Sequence, residues 1–230
     1  TSAILNRPRT RTFGTSSLLY RSNKLMFDEE SGSLWSTLEG KPVVGPLVDS
    51  GLALRMLPVV TTTWGEWRRM HPGTSVLSIE TGYKRDYAEG RAYREYFATD
   101  RLMFEVPRTD RRLKNKAEVL ALLVRGPDNA RRPIAVSVEF LKRNPIYHFD
   151  AGGVRLVIVT TPAGANRVYE AGDRRFARMA GPDEIVDANG RRWRVTEDAL
   201  VAADAPAARL ARVPAARAFW FGWYAQFPET

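Results

Sequence analysis

Tryptophan is large and hard to replace, so its spacing constrains a fold strongly, and in this chain all six tryptophans fall in matched pairs. Leu54–Thr74 reads LRMLPVVTTTWGEWRRMHPGT, and Leu210–Thr230 reads LARVPAARAFWFGWYAQFPET. Aligned without a gap, they share Leu54/Leu210, Pro58/Pro214, Trp64/Trp220, Trp67/Trp223, Pro72/Pro228 and Thr74/Thr230. Upstream, Leu25–Trp35 matches Glu184–Trp193, pairing Asp28 with Asp187, Gly32 with Gly190 and Trp35 with Trp193; further back, Phe13 pairs with Phe176. This order of matches predicts an internal duplication.

Each repeat has a readable physical unit. A strand ending in Asp passes through a glycine turn into a strand carrying Trp35 or Trp193, and Asn189-Gly190 suits a tight hairpin because both residues tolerate positive φ. Thr63-Trp64-Gly65-Glu66 has the form of a capping box, which starts a short helix. Trp64, Trp67 and His71 then share one face, as do Trp220, Trp223 and Phe227, and Pro72 and Pro228 close the helices. The expected role of these rings is packing in the core. The pattern predicts an α+β, predominantly β fold, in which strand–hairpin–short-helix units at 13–74 and 176–230 pack with the segment 75–175 as one globular domain. The second repeat is preceded by an apolar strand, Val154–Thr161, and by Arg167–Glu170, whereas only Thr1–Thr12 precede Phe13. The expectation is therefore an N-terminally truncated domain.

The stretch FGTSSLLYRSNKLMFDEESGSLWSTLEGKPVVGPL, followed by WGEWRRMHPGT, GYKRDY, RLKNKAEVLAL and FWFGWYAQFPET, resembles the prokaryotic family catalogued as domain of unknown function 3179. The resemblance covers nearly the whole chain. It implies an extracytoplasmic protein, since members commonly carry a secretion leader. It also implies a Cys-x-x-Cys-Gly segment just ahead of the point where this sequence starts, a spacing suited to redox chemistry or a soft metal.

Composition narrows the remaining classes. No apolar run reaches the ~20 residues that a membrane-spanning helix needs. The 29 Arg and 6 Lys give a net charge of +9 but lie along the whole chain. The clusters Arg7–Arg11, Arg108–Arg112 and Arg191–Arg194 fall short of a nucleic-acid-binding arm, so a solvated basic surface is expected rather than a nucleic-acid partner. The absence of cysteine from these residues excludes thiolate and Cys-zinc chemistry within them, and no cofactor site is evident.

Between the repeats, Tyr83, Tyr87, Tyr93, Tyr96 and Phe97 lie among charges and glycines, as expected of a long loop pinned to the core by aromatic anchors. Val119–Val124, Ile134–Phe140 and Ile146–Asp150 read as strands. His-Glu-x-x-His, Gly-x-Ser-x-Gly and P-loop patterns are all missing. Three residues stand as weak catalytic candidates. His71 sits at a helix end where the other repeat has Phe227; Asp28 neighbours Glu29 and Glu30 and suits a hard cation or a turn-capping role; Tyr20 lies in the first strand region. His148 is expected on a strand surface, on the same face as Asp150. The leading functional expectation is an extracytoplasmic binding or interaction domain of unknown ligand. The alternative is a metal- or thiol-dependent enzyme whose Cys pair lies upstream, with Tyr20, Asp28 and His71 in support; any metal would need those upstream residues.

Overall fold

The computed structural model describes residues 2–4 and 10–230. Arg7 and Arg9 of the first arginine cluster, and much of the Thr1–Thr12 opening, lie outside the described residues. The fold is predominantly β, the described residues forming three antiparallel sheets and four short helices.

The first sheet is a meander of β1 (Ser2–Ile4), β2 (Thr10–Tyr20), β3 (Asn23–Asp28), β4 (Leu34–Ser36) and β5 (Lys41–Val44). An extended stretch then leads to helix α1 (Trp64–Met70), and α2 (Arg94–Ala98) interrupts the long segment that follows. Strands β6 (Glu118–Arg125) and β7 (Arg131–Ser137) form a hairpin, followed by α3 (Val138–Arg143). Next come β8 (Ile146–Asp150), β9 (Arg155–Thr160) and β10 (Asn166–Glu170). A second meander runs through β11 (Phe176–Gly181), β12 (Glu184–Asp187), β13 (Arg192–Val195), β14 (Ala199–Ala202) and β15 (Arg209–Val213). It joins β10, β9 and β8 in one eight-stranded sheet. Finally β16 (Ala216–Phe219) pairs with β6, and α4 (Trp220–Gln226) ends the chain.

The two meanders repeat the same contacts. Phe13 pairs with Asp28 across β2 and β3, as Phe176 pairs with Asp187 across β11 and β12. Each turn closes on its Asp carbonyl, which accepts from Gly32 or Gly190, and both glycines hold positive φ, where a side chain would be strained. Trp35 and Trp193 are fully buried, and each donates its indole N–H to the preceding Asp at 2.9 Å. Edge-on contacts with Phe13 (5.4 Å) and Phe176 (5.7 Å) complete the two clusters. A buried indole must satisfy its N–H, and the Asp supplies the acceptor without a water.

Two sequence expectations are corrected here. Ile134–Phe140 is not one strand: it breaks at Ser137, whose Oγ accepts from the Phe140 N–H and caps α3, burying Val138 and Leu141 three residues apart. The box at Thr63 is only half formed. Thr63 Oγ1 accepts from the Glu66 N–H at 3.2 Å, but the Glu66 carboxylate turns inward to Thr161 and Arg167 instead of returning to Thr63.

Asp28 also accepts from the buried Arg11 guanidinium at 2.9 Å, whereas Asp187 takes its remaining bonds from the backbone N–H groups of Asn189 and Arg191. Asp28→Ala would take from the buried Arg11 guanidinium its fully buried partner, leaving only the partly exposed Glu30 at 3.1 Å, and is expected to cost about 3–4 kcal/mol. Asp187→Ala, which orphans only neutral donors, should cost about 1–3 kcal/mol. Urea unfolding of the two variants checks the order.

Candidate functional site

Helices α1 and α4 share their closing geometry. Trp67 and Trp223 each donate to a threonine seven residues on, Thr74 and Thr230, at 3.0 Å. Their rings lie against His71 (4.0 Å) and Phe227 (4.5 Å). Burial separates them. Trp220, Trp223 and Phe227 pack on Val119 and Ala121 of β6, so core packing describes α4. Trp64 is 50% exposed against 4% for Trp220, and Trp67 and His71 are half-buried, so core packing does not describe α1. Anchoring of the loop by its aromatic residues is likewise corrected. Tyr83, Tyr87 and Tyr93 are exposed, and the anchoring falls to Tyr96, half-buried against Phe219 and beneath the Lys116 ammonium, with Phe97 touching Phe219.

The opposite side of α1 is held firmly. Arg69 makes a two-pronged contact with Asp183 in the β11–β12 turn. Glu66 accepts from Thr161 Oγ1 at 2.9 Å and lies 3.5 Å from Arg167, whose side chain is 1% exposed. Arg167 also pairs with Glu197, which pairs with Arg212. Burial pushes the Glu197 carboxyl up, but hydrogen bonds and charge from Arg167 and Arg212 outweigh it and hold the pKa below the usual carboxylate range. This network of two acids and two arginines ties the first sheet's helix to the second sheet.

The three candidate residues do not converge. Asp28 is fully buried, and its oxygens accept from Arg11, the Ser31 N–H, the Ser31 hydroxyl and the Trp35 indole. Burial acts to raise its pKa, yet those donors and the Arg11 charge bring it below the ordinary value. With every lone-pair direction engaged, its reading as a cation ligand gives way to that of a structural acceptor. Tyr20 pairs with Asn23 at the other end of the same hairpin, about 17 Å along β3 from Asp28, beneath the Arg21 guanidinium. His71 caps α1, its Nε2 buried without a hydrogen-bond partner among the described residues. His148 does not pair with Asp150, which accepts instead from the Gly153 N–H. Its Nε2 accepts from the Phe176 N–H at 3.0 Å, pinning β8 to β11.

Sequence reasoning missed a groove of about 360 Å³ between the first sheet and the β16–β6–β7 sheet. Its apolar lining includes Leu54, Leu57 and Val59 from the extended stretch, Ala216 and Ala218 of β16, and Trp223. Lys41, Arg55, Arg125, Arg131 and Arg217 surround it with positive charge. The side chains of Lys41, Arg55 and Arg131 have no hydrogen bond or ion pair among the described residues, whereas the single carboxylate of the lining, Glu39, accepts from Gln226. These cations are scattered in sequence, so no run could have revealed them.

The contrast between the helices predicts unequal costs. Trp220→Ala should lose about 3–5 kcal/mol of stability and Trp64→Ala less than half of that, measured by urea unfolding. Burial lowers the His148 pKa; the nearby Phe176 carbonyl acts the other way and Arg175 adds to the lowering. The neutral ring is thus favoured in the fold, and its stabilisation is complete above the ordinary His value of about 6.5. It is lost as pH falls from there through the depressed value, so a His148→Gln variant should flatten the loss of stability below about pH 6.5.

Comparison with curated proteins and with solved structures returned no match. The family described as "Protein of unknown function (DUF3179)" matches residues 4–230, essentially the whole chain. The chain belongs to that family.

Proposed function

We propose that this chain is a binding or interaction module whose site is the groove between the first sheet and β16, and that it takes a ligand combining negative charge with apolar surface. The supporting observation is that the side chains of Lys41, Arg55 and Arg131 line one apolar groove without a carboxylate partner among the described residues. Like charges gathered on one groove repel one another, and an anion relieves that repulsion. The apolar lining adds affinity by burial, and few polar groups then set orientation. The alternative of a metal- or thiol-dependent enzyme gains nothing from the placement of Tyr20, Asp28 and His71, which lie in three separate places. The extracytoplasmic setting belongs to the same proposal and is carried by the family resemblance. So does an origin by internal duplication, favoured by the matched Asp–Trp–Phe clusters and the matched helix ends.

Calorimetric titration with octanoate, an anion with an apolar tail, tests the groove. Binding is expected to weaken as salt rises and to fall about tenfold when Lys41 and Arg131 both become Ala. Binding that ignores both changes would place the ligand elsewhere and end this reading.

A further inference from the structure

The groove has a second property besides charge: one wall is the open edge of a β-sheet. β16 lies at the margin of the β16–β6–β7 sheet and pairs only with β6. In an antiparallel pair, residues alternate between those that bond across the ladder and those that turn their N–H and C=O away. The ladder is phased at both ends of β16. The Trp220 N–H donates to the Ala117 carbonyl at 2.8 Å, continuing the register in which Ala218 faces Val119 and Ala216 faces Ala121. At the other end, the Ala215 carbonyl points away from β6 and accepts from the Val59 N–H. Both contacts assign the same alternation. Ala216 and Ala218 bond to β6, while Arg217 directs its N–H and C=O outward, towards the side of Val59. No hydrogen bond to either group is present among the described residues.

That side is the groove. Val59, Leu57 and Met56 line it together with Arg217. The Val59–Ala215 bond shows that an extended chain already meets this edge at one end, and beyond that point the edge is unfilled. An unpaired edge strand bordered by apolar surface is a template for an added strand, because the guest's main chain satisfies the idle donors and acceptors. The surrounding charge selects the guest. Lys41 and Arg55 stand on the first-sheet side and Arg131 on β7, all three without partners among the described residues, so alternate acidic side chains are matched and basic ones are repelled.

We infer that the groove binds a short acidic peptide in extended conformation, added as a strand to the outer edge of β16, with main-chain hydrogen bonds to Arg217 and carboxylates facing Lys41, Arg55 and Arg131. The inference rests on the groove reading above. It narrows that reading to a peptide, since a lipid anion or a nucleic acid uses the cations but has no use for a free peptide edge.

The probe is an acetylated, amidated six-residue peptide alternating Glu and Val, followed by fluorescence anisotropy. Three comparisons accompany it: the Lys–Val counterpart, the Glu–Val peptide N-methylated at alternate residues, and the Lys41→Ala, Arg131→Ala double variant of the protein. The Glu–Val peptide should bind, the Lys–Val peptide at least about tenfold more weakly, and the N-methylated peptide by a similar factor more weakly. The double variant should lose affinity for the Glu–Val peptide while unfolding at an unchanged urea concentration. If N-methylation leaves affinity intact, strand addition is overturned but an anion groove survives. If octanoate binds and the Glu–Val peptide does not, the peptide class alone is overturned. If neither binds, both the inference and the groove reading fail.

Discussion

The arrangement of the two meanders depends on how one buried arginine is neutralised. Arg167 lies on β10 with its guanidinium almost wholly removed from water, a position that is destabilising unless carboxylates stand against it. One partner, Glu197, comes from the loop between β13 and β14, and the other, Glu66, comes from α1. The charge on β10 therefore draws in a helix that follows the first meander, about a hundred residues earlier in the chain. Arg212 extends the network, pairing with Glu197 and donating to the Val59 carbonyl at 3.2 Å. The same cluster that docks α1 thus places the stretch through Val59, one wall of the groove, against the end of β15.

Within each meander a smaller constraint operates. A buried indole needs an acceptor, and the Asp that closes the adjacent turn supplies it. Trp35 and Trp193 are therefore turn locks as well as core residues, and the aromatic edge contact with Phe13 or Phe176 fixes β2 or β11 to the lock. The copies differ in the rest of their acceptor capacity. Asp28 neutralises Arg11, whereas Asp187 is satisfied by its own turn. One lock thus carries an ion pair that the other lacks, while the indole contact is the same in both.

The helices show how like sequences reach unlike environments. α1 and α4 match in tryptophan spacing, in the Trp–Thr closing bond and in the ring stacked beneath it. At the position of Glu66 in α1, α4 has Gly222, so α4 has no carboxylate to bury and presents its rings to β6 instead. α1 buries its carboxylate and leaves Trp64 half in water. The groove lies where these choices meet, bounded by Trp223 of α4 on one side and the stretch leading to α1 on the other.

Much was legible in the sequence where the physics is local. The Asp–Gly–Trp turns, the unbroken apolar runs of β6 and β9, and the Thr63 N-cap all follow from apolar patterning, turn chemistry and capping, which act over a few residues. Asp28 was legible as a turn acceptor too, since an Asp at a strand end is placed to accept the backbone N–H groups of the turn that follows. Tertiary structure alone decided which faces were covered and which charges were paired. Nothing near Glu66 foretold that its carboxylate would leave Thr63 for Arg167, because the buried cation that attracts it is contributed by β10. The groove was equally hidden. Lys41, Arg55, Arg131 and the open edge at Arg217 come from four distant stretches, and a site assembled across such separations leaves no periodicity or motif to read. Paired tryptophans report the local unit faithfully, but burial depends on what the rest of the chain brings to each ring.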